Sequence, residues 1–186
     1  ALLKFARARL TSEALATYVL DATGHAKSKD VLILSSHPAP DFMREMLIHG
    51  FRSLLGASAV DFIKPAHLYR PPPGSEEAPR DSTAQASLYG YGFTYANRLE
   101  DDPKVDRALI SDRIRRKAFD LIIYASVHRG LPFFDDVRAT YSPNDVAFVD
   151  GEDEHGWSDF STGLPQMGHY FMRELPDGCP PNEVPE

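Results

Sequence analysis

Short apolar runs alternate with amphipathic segments along most of the chain. The most apolar run covers residues 121–127, Leu-Ile-Ile-Tyr-Ala-Ser-Val. It is too short to cross a membrane and is rich in β-forming residues, which is typical of a strand buried on both faces. Runs at residues 31–35, 59–63 and 146–150 predict three further strands, and residues 169–175 predict a fifth strand at the margin of the sheet.

Helical spacing of apolar residues fills the segments between these runs. The clearest helix follows Asp41, whose side chain suits an N-cap, and continues until Gly56, a residue type that often ends helices. Residues 106–117 and 131–141 predict two further helices. Strands that alternate with helices in this way predict parallel pairing through right-handed crossovers.

The alternation predicts a single α/β domain of Rossmann-like topology over residues 25–175. We expect three layers, with a mostly parallel sheet of about five strands between helices on both faces. Residues 1–24 form an N-terminal helical segment, either as one helix over residues 2–22 or with a second short helix capped at residues 11–13. The proline-rich residues 176–186 are expected to form a tail or linker.

Regular alternation stops at residues 64–104, which predict a long insertion. Three prolines at residues 71–73 indicate an exposed loop. Residues 88–95 then carry four aromatic residues at alternate positions, including Tyr91 and Phe93. Alternation places these rings on one face of an extended segment. That face either packs over the sheet edge or forms a platform for a sugar or base, so Tyr91 and Phe93 are candidate substrate-binding residues.

Three predicted strands end in polar loops, at residues 36–41, 128–132 and 150–156. Carboxyl ends of parallel strands share one edge of the sheet, and ligands bind there in the crevice between strands that lead to opposite faces. If the strands before His37 and His128 are neighbours, such a crevice opens between the two histidines. Both are therefore candidate catalytic residues, although each is otherwise an ordinary hydrogen-bonded ring at a strand end.

Charged residues in these loops are candidate substrate-binding groups. Arg129 has the planar guanidinium that binds a phosphate or carboxylate through two hydrogen bonds, and its alternative partners are Asp135 and Asp136. The loop at residues 150–156 contains carboxylates and His155, which are side chains that can bind a divalent metal, but its sequence does not match an EF-hand. We favour hydrogen bonds from ligand hydroxyls or from backbone amides, and no metal, for its carboxylates: Asp150, Glu152 and Asp153.

Composition and missing motifs exclude several functions. The formal net charge of −7 disfavours a nucleic-acid partner, since a phosphate backbone requires a concentrated basic surface. Cys179 is the sole cysteine, which excludes an intrachain disulfide and indicates a reducing, cytoplasmic location. The sequence lacks an apolar run of the roughly 20 residues that span a bilayer. It also lacks a dinucleotide fingerprint, a P-loop and a nucleophile elbow, so we expect neither a membrane span nor a cofactor.

Ordered blocks over roughly residues 30–175 resemble the amino-terminal half of bacterial glycosyltransferase-like proteins with two Rossmann domains, the GT-B architecture. The blocks are HPAPDFMREMLIHGFRSLLG, VDF, LYGYGFTYA, FDLIIYASVHRG, VAFVDGEDE and YFMREL. In that architecture the first domain shapes the acceptor side and the second holds most contacts to the nucleotide-sugar. The resemblance implies that His37 and His128 face the interdomain cleft, where a histidine acts as general base on an acceptor hydroxyl. It also implies a second Rossmann domain that this chain lacks.

Three functions follow as hypotheses. The favoured one is the acceptor-side domain of a glycosyltransferase-like protein that handles a sugar or nucleotide-sugar, either as a fragment or as a domain that binds without turnover. The first alternative is a non-catalytic ligand-binding or regulatory module of flavodoxin-like topology. The second is a metal-dependent hydrolase that uses the acidic loop at residues 150–155.

Overall fold

The computed structural model describes residues 2–38, 40–70, 95–151 and 163–173. Its centre is a sheet of five parallel strands in the order β2-β1-β3-β4-β5, with helices on both faces. The predicted Rossmann-like α/β fold is confirmed. Among the described residues, no helix is long and apolar enough to cross a bilayer.

The elements follow one another along the chain in the predicted alternation. The helices are α1 (Leu2–Arg9), α2 (Ser12–Ala22), α3 (Phe42–Leu55), α4 (Ile110–Arg115) and α5 (Phe134–Thr140). The strands are β1 (Val31–Leu34), β2 (Ala59–Phe62), β3 (Leu121–Tyr124), β4 (Val146–Asp150) and β5 (His169–Met172).

Burial explains why the strands are almost entirely apolar. Every residue of β1 is at most 1% exposed, because α2 and α3 cover one face of the sheet while α4 and α5 cover the other. Alternate residues of one strand therefore enter two separate cores, as Leu32 and Ile33 do. Each fully buried leucine or isoleucine contributes about 2 kcal/mol of hydrophobic stabilisation.

The helix α3 has the predicted ends. Asp41 adopts an extended backbone conformation and its Oδ1 accepts a hydrogen bond from the Arg44 N–H at 3.1 Å, as an N-cap does. At the other end Gly56 has φ +58°, a conformation that glycine reaches without the steric cost of a Cβ. The helix thus starts directly at the carboxyl edge of the sheet.

The N-terminal segment is two helices, and the alternative of one continuous helix over residues 2–22 is wrong. The chain breaks at Leu10, and the Thr11 side chain accepts a hydrogen bond from the Ala14 N–H at 3.1 Å. An N-cap at this point starts a new helix.

Several predicted elements are shorter in the structure, among them the helix expected over residues 131–141, which covers Phe134–Thr140. The helix expected over residues 106–117 covers only Ile110–Arg115, because the backbone is left-handed at Leu109 (φ +49°) and at Lys117 (φ +54°). The strand expected over residues 121–127 ends at Tyr124, where the chain turns into a single 3-10 turn.

The described ends of the predicted insertion run side by side. Tyr69 and Leu99 form a β-bridge, and the Arg70 N–H donates to the Leu99 carbonyl at 2.8 Å. Residues 71–94, between these ends, lie outside the described part of the chain. The excursion therefore leaves and returns beside the edge strand β2.

Candidate functional site

Strand order creates a crevice between β1 and β3. Leu34, the last residue of β1, pairs with Phe62 on one side and with Tyr124 on the other, so the three strands end at one level. β1 leads to α3 on one face of the sheet, whereas β3 leads to α5 on the opposite face. Neighbouring strands that diverge in this way form the switch point at which open α/β sheets bind ligands. The condition set by the sequence, that these two strands are neighbours, is met.

The loops that follow β1 and β3 contact each other directly. The Ser36 hydroxyl donates to the Arg129 carbonyl. Gly130 has φ +112°, and a Cβ at this position would lie 2.5 Å from the Ser36 Oγ. This close approach requires glycine, and it brings the loops of His37 and His128 to one edge, as the sequence predicts.

Asp41 stands at the centre of the crevice, with its side chain 8% exposed. Ser126 Oγ donates to Asp41 Oδ2 at 2.6 Å. His128 Nε2 lies 3.7 Å from the same oxygen and Arg129 Nε lies 3.4 Å from it. One carboxylate oxygen thus collects a hydroxyl, an imidazole and a guanidinium from the loop after β3.

Asp41 is ionised in this setting. Burial opposes its negative charge, but the hydrogen bonds from Ser126 and the Arg44 N–H, with the charges of His128 and Arg44, outweigh burial and lower its pKa below the usual value. The site therefore holds a fixed negative charge at neutral pH.

His128 is the titratable group best placed to exchange a proton with a ligand. Its side chain is 23% exposed, whereas Ser126 is only 1% exposed. The Ser126 Oγ lies 3.5 Å from His128 Nδ1 and 3.4 Å from Nε2, but this hydroxyl donates to Asp41. The arrangement suits acid and base chemistry by His128 beside a carboxylate, and not a serine nucleophile.

Arg44, on the buried face of α3, holds the loop after β1 in place. Its guanidinium is 1% exposed and donates to the His37 carbonyl, with Ser35 Oγ and the Pro38 carbonyl each at 3.4 Å. A buried charge bonded to backbone carbonyls holds those carbonyls in place. The structure thereby positions His37 through its backbone.

A third loop reaches this edge through His67, which the sequence analysis did not identify. His67 Nε2 lies 2.5 Å from Glu45 Oε1, and the same oxygen accepts a hydrogen bond from the Asp41 N–H at 3.0 Å. Glu45 is 1% exposed. The sequence held one indication of such a partner. Arg44 and Glu45 lie on the face of α3 that packs against the sheet, and buried charges there need partners from elsewhere in the chain.

Arg129 pairs with neither of the two carboxylates that the sequence suggested as its partners, Asp135 and Asp136. Arg129 contacts Asp41, while Asp136 accepts hydrogen bonds from Ser111 at 2.7 Å and Arg115 at 3.2 Å. The Arg129 side chain is nonetheless 42% exposed. It remains accessible to a ligand anion while it touches the site carboxylate.

The acidic loop is only partly within the described residues. Asp150 is 6% exposed, and its Oδ2 accepts a hydrogen bond from the Tyr170 hydroxyl at 2.6 Å. This contact ties β4 to β5. Four other predicted substrate-binding or loop residues lie outside the described part: Glu152, Asp153, Tyr91 and Phe93. Within the described part, no group of three or more acidic, histidine or cysteine side chains is arranged to hold a metal.

One described residue of the aromatic stretch, Tyr95, packs against the protein. Its ring centroid lies 5.2 Å from that of His49 on α3, and it adjoins the core on that face. This end of the stretch matches the interpretation of a packed excursion.

A surface pocket of about 440 Å³ lies away from the crevice, between α3 and the returning excursion. Arg52 and Asp102 line it and lie 3.7 Å apart, and Asp101 is paired with Lys64 at 2.8 Å. Its acidic groups are engaged by the protein, so we place the candidate site at the switch point, where titratable groups from separate loops converge.

No protein-family model, curated protein or solved structure matches the chain. The resemblance to glycosyltransferases therefore stays a prediction from the sequence.

Proposed function

We propose that the chain is the acceptor-side domain of a glycosyltransferase-like protein, and that the crevice between β1 and β3 binds a hydroxyl-bearing ligand such as a sugar. The observation that carries the proposal is the contact between Asp41 and His128, which come from two loops at the switch point. An ionised carboxylate beside a partly exposed imidazole is suited to bind and deprotonate a hydroxyl.

The roles of the residues follow from this contact. His128 accepts the proton of the acceptor hydroxyl, and Asp41 stabilises the imidazolium that forms. The acceptor oxygen then forms a bond to the anomeric carbon of the donor sugar. The bond from that carbon to the nucleoside diphosphate breaks, and the diphosphate leaves with the electron pair. Arg129, at the exposed rim, binds an anionic group of the ligand.

A second candidate is a binding module without turnover. The strand order 2-1-3-4-5 is that of flavodoxin-like sheets, which bind ligands at the same switch point. Both candidates place the ligand in one crevice, and they differ in whether a bond is broken.

The first experiment is a thermal-shift panel on the chain with nucleotides, uridine diphosphate glucose, guanosine diphosphate mannose and free sugars. Saturation at about 100 times Kd stabilises the fold by roughly 2.7 kcal/mol, which raises the Tm by about 5–10 °C in a chain of this size. Release of nucleoside diphosphate is measured for each nucleotide-sugar that binds, with and without the sugars as acceptors.

Variants separate the two candidates. In a transferase, His128→Gln lowers acceptor-dependent release roughly 100-fold or more while the thermal shift persists. A thermal shift with free sugars and no release of diphosphate indicates an acceptor-side domain tested apart from its donor domain, whereas a shift with nucleotides alone and no release indicates the binding module. If no sugar, nucleotide or nucleotide-sugar shifts the Tm, both candidates are wrong.

A further inference from the structure

The first helix presents its apolar residues to solvent. Leu2, Leu3 and Phe5 are 80%, 73% and 56% exposed, and Leu10, just after the helix, is 72% exposed. No residue of α1 is buried. Large apolar side chains clustered in one exposed segment indicate an interaction surface, whereas single exposed leucines do not.

The contacts of α1 strengthen this inference. In proteins most of the stability of a helix comes from packing of its apolar face, and no residue of α1 is buried. Its largest contact is with α2, its neighbour in sequence. A surface that covers the apolar side chains of α1 would stabilise the helix by burying them.

The charge on this segment indicates which kind of partner surface it binds. Residues 2–10 contain Lys4, Arg7 and Arg9 and no carboxylate, in a chain whose net charge is −7. Two copies of the segment would repel each other, since both carry only positive charges. A surface that is negatively charged and also accepts leucine and phenylalanine side chains complements it, and an anionic lipid bilayer has both properties.

We propose that residues 2–10 bind the protein to an anionic membrane surface. The described part of the helix is about 12 Å long at 1.5 Å per residue, and it lies in the plane of the headgroups. Leu2, Leu3 and Phe5 enter the boundary of the acyl chains, while the long basic side chains reach the phosphates. The acidic remainder of the chain is repelled from the surface, which leaves α1 as the point of attachment.

The test is cosedimentation of the whole chain with vesicles of phosphatidylcholine alone or mixed with phosphatidylglycerol. The variant Lys4→Gln/Arg7→Gln/Arg9→Gln removes three charges from the segment. Its matched control, Lys27→Gln/Lys29→Gln/Lys104→Gln, removes three exposed charges elsewhere. A third variant, Leu3→Ser/Phe5→Ser, removes apolar side chains that make no core contact, so the fold is retained.

We expect the wild type to bind the mixed vesicles and not phosphatidylcholine alone. Neutralising the three basic residues of the segment lowers the partition coefficient roughly 100-fold. The control triple keeps the wild-type affinity, and Leu3→Ser/Phe5→Ser binds more weakly.

Three results would overturn the proposal. One is failure of the wild type to bind the mixed vesicles. Another is an equal loss in the two triple variants, which would show that only the net charge matters. The third is a dimer in sedimentation that Leu3→Ser/Phe5→Ser abolishes, without lipid binding, which would assign the apolar residues to a second copy of the chain.

Discussion

Replacing Arg107 by methionine tests whether a buried ion pair anchors the segment between the excursion and α4 to the sheet. Arg107 Nη2 lies 2.5 Å from Asp61 Oδ1, and its Nε lies 3.1 Å from the same oxygen and from the Asp61 carbonyl. Asp61 is fully buried, and Arg107 Nη2 also donates to the Tyr69 hydroxyl at 3.1 Å. Methionine keeps much of the aliphatic volume but leaves the Asp61 carboxylate without its cation.

The expected cost is large because the carboxylate cannot reach water. Removing one member of a buried pair typically costs 3–5 kcal/mol. The Arg107 side chain is 19% exposed, which screens part of the interaction, so we expect the lower end, about 3 kcal/mol. Replacing both members, as in Asp61→Leu/Arg107→Met, removes the unpaired charge and is expected to cost less than Arg107→Met alone.

Urea denaturation of the four members of this cycle gives the coupling free energy. Arg70→Met is the matched control, since Arg70 also pairs with a carboxylate, but the pair that it forms with Glu100 is exposed, at 55% and 73%. An exposed pair contributes at most about 1 kcal/mol. The buried pair does not stabilise the fold as expected if Arg107→Met costs no more than Arg70→Met, or if the free-energy costs of Asp61→Leu and Arg107→Met are additive.

Three further substitutions probe packing, the crevice and pH. Gly50→Ala places a Cβ 2.1 Å from the Ser12 carbonyl oxygen, so α2 must shift; we expect a loss of about 3 kcal/mol in urea denaturation. Gly130→Ala forces an alanine to φ +112° and a clash with Ser36, which should lower the Tm and weaken any ligand bound at the switch point by isothermal titration. Burial is the largest influence on the pKa of His49 and lowers it, so folding favours the neutral ring. The contribution of His49 to the free energy of unfolding is therefore complete above its unfolded pKa of about 6.5 and is lost as the pH falls below that value. His49→Gln should make the free energy of unfolding less dependent on pH between about pH 7 and pH 5. An unchanged pH dependence in this variant would contradict the expectation.

The sequence predicted the elements whose causes are local. The five strands are short apolar runs, and the ends of α3 follow from the side chain of Asp41 and the flexibility of Gly56. The adjacency of the strands before His37 and His128 was only a condition in the sequence, because several strand orders are compatible with the same alternation, and the structure supplies the order. The length of the helix expected over residues 106–117 was overestimated, since no sequence pattern indicated the left-handed backbone at Leu109.

The chemistry of the crevice depends on contacts that no local pattern contains. Asp41 has the local role of an N-cap, yet its other oxygen is bonded by Ser126, 85 residues further along the chain. His67 reaches Glu45 across 22 residues, from a loop whose sequence has no motif. A residue with one obvious structural role can therefore also be the centre of a site, and only the folded arrangement reveals it.

NMR chemical-shift mapping on this chain of 20.7 kDa tests directly whether the ligand binds at the switch point. The probe is the nucleotide-sugar or sugar that gives the largest thermal shift, measured with the wild type, Asp41→Asn and Asp145→Asn. Asparagine also caps helices, so Asp41→Asn removes the charge and keeps α3. Asp145→Asn removes a comparable charge before β4, at the opposite edge of the sheet.

We expect shifts clustered at residues 35–41 and 126–130, with affinity lowered roughly 10-fold or more by Asp41→Asn and unchanged by Asp145→Asn. Shifts centred on the pocket at Arg52 and Asp102, or equal affinity of the wild type and Asp41→Asn, would contradict the placement of the site at the switch point.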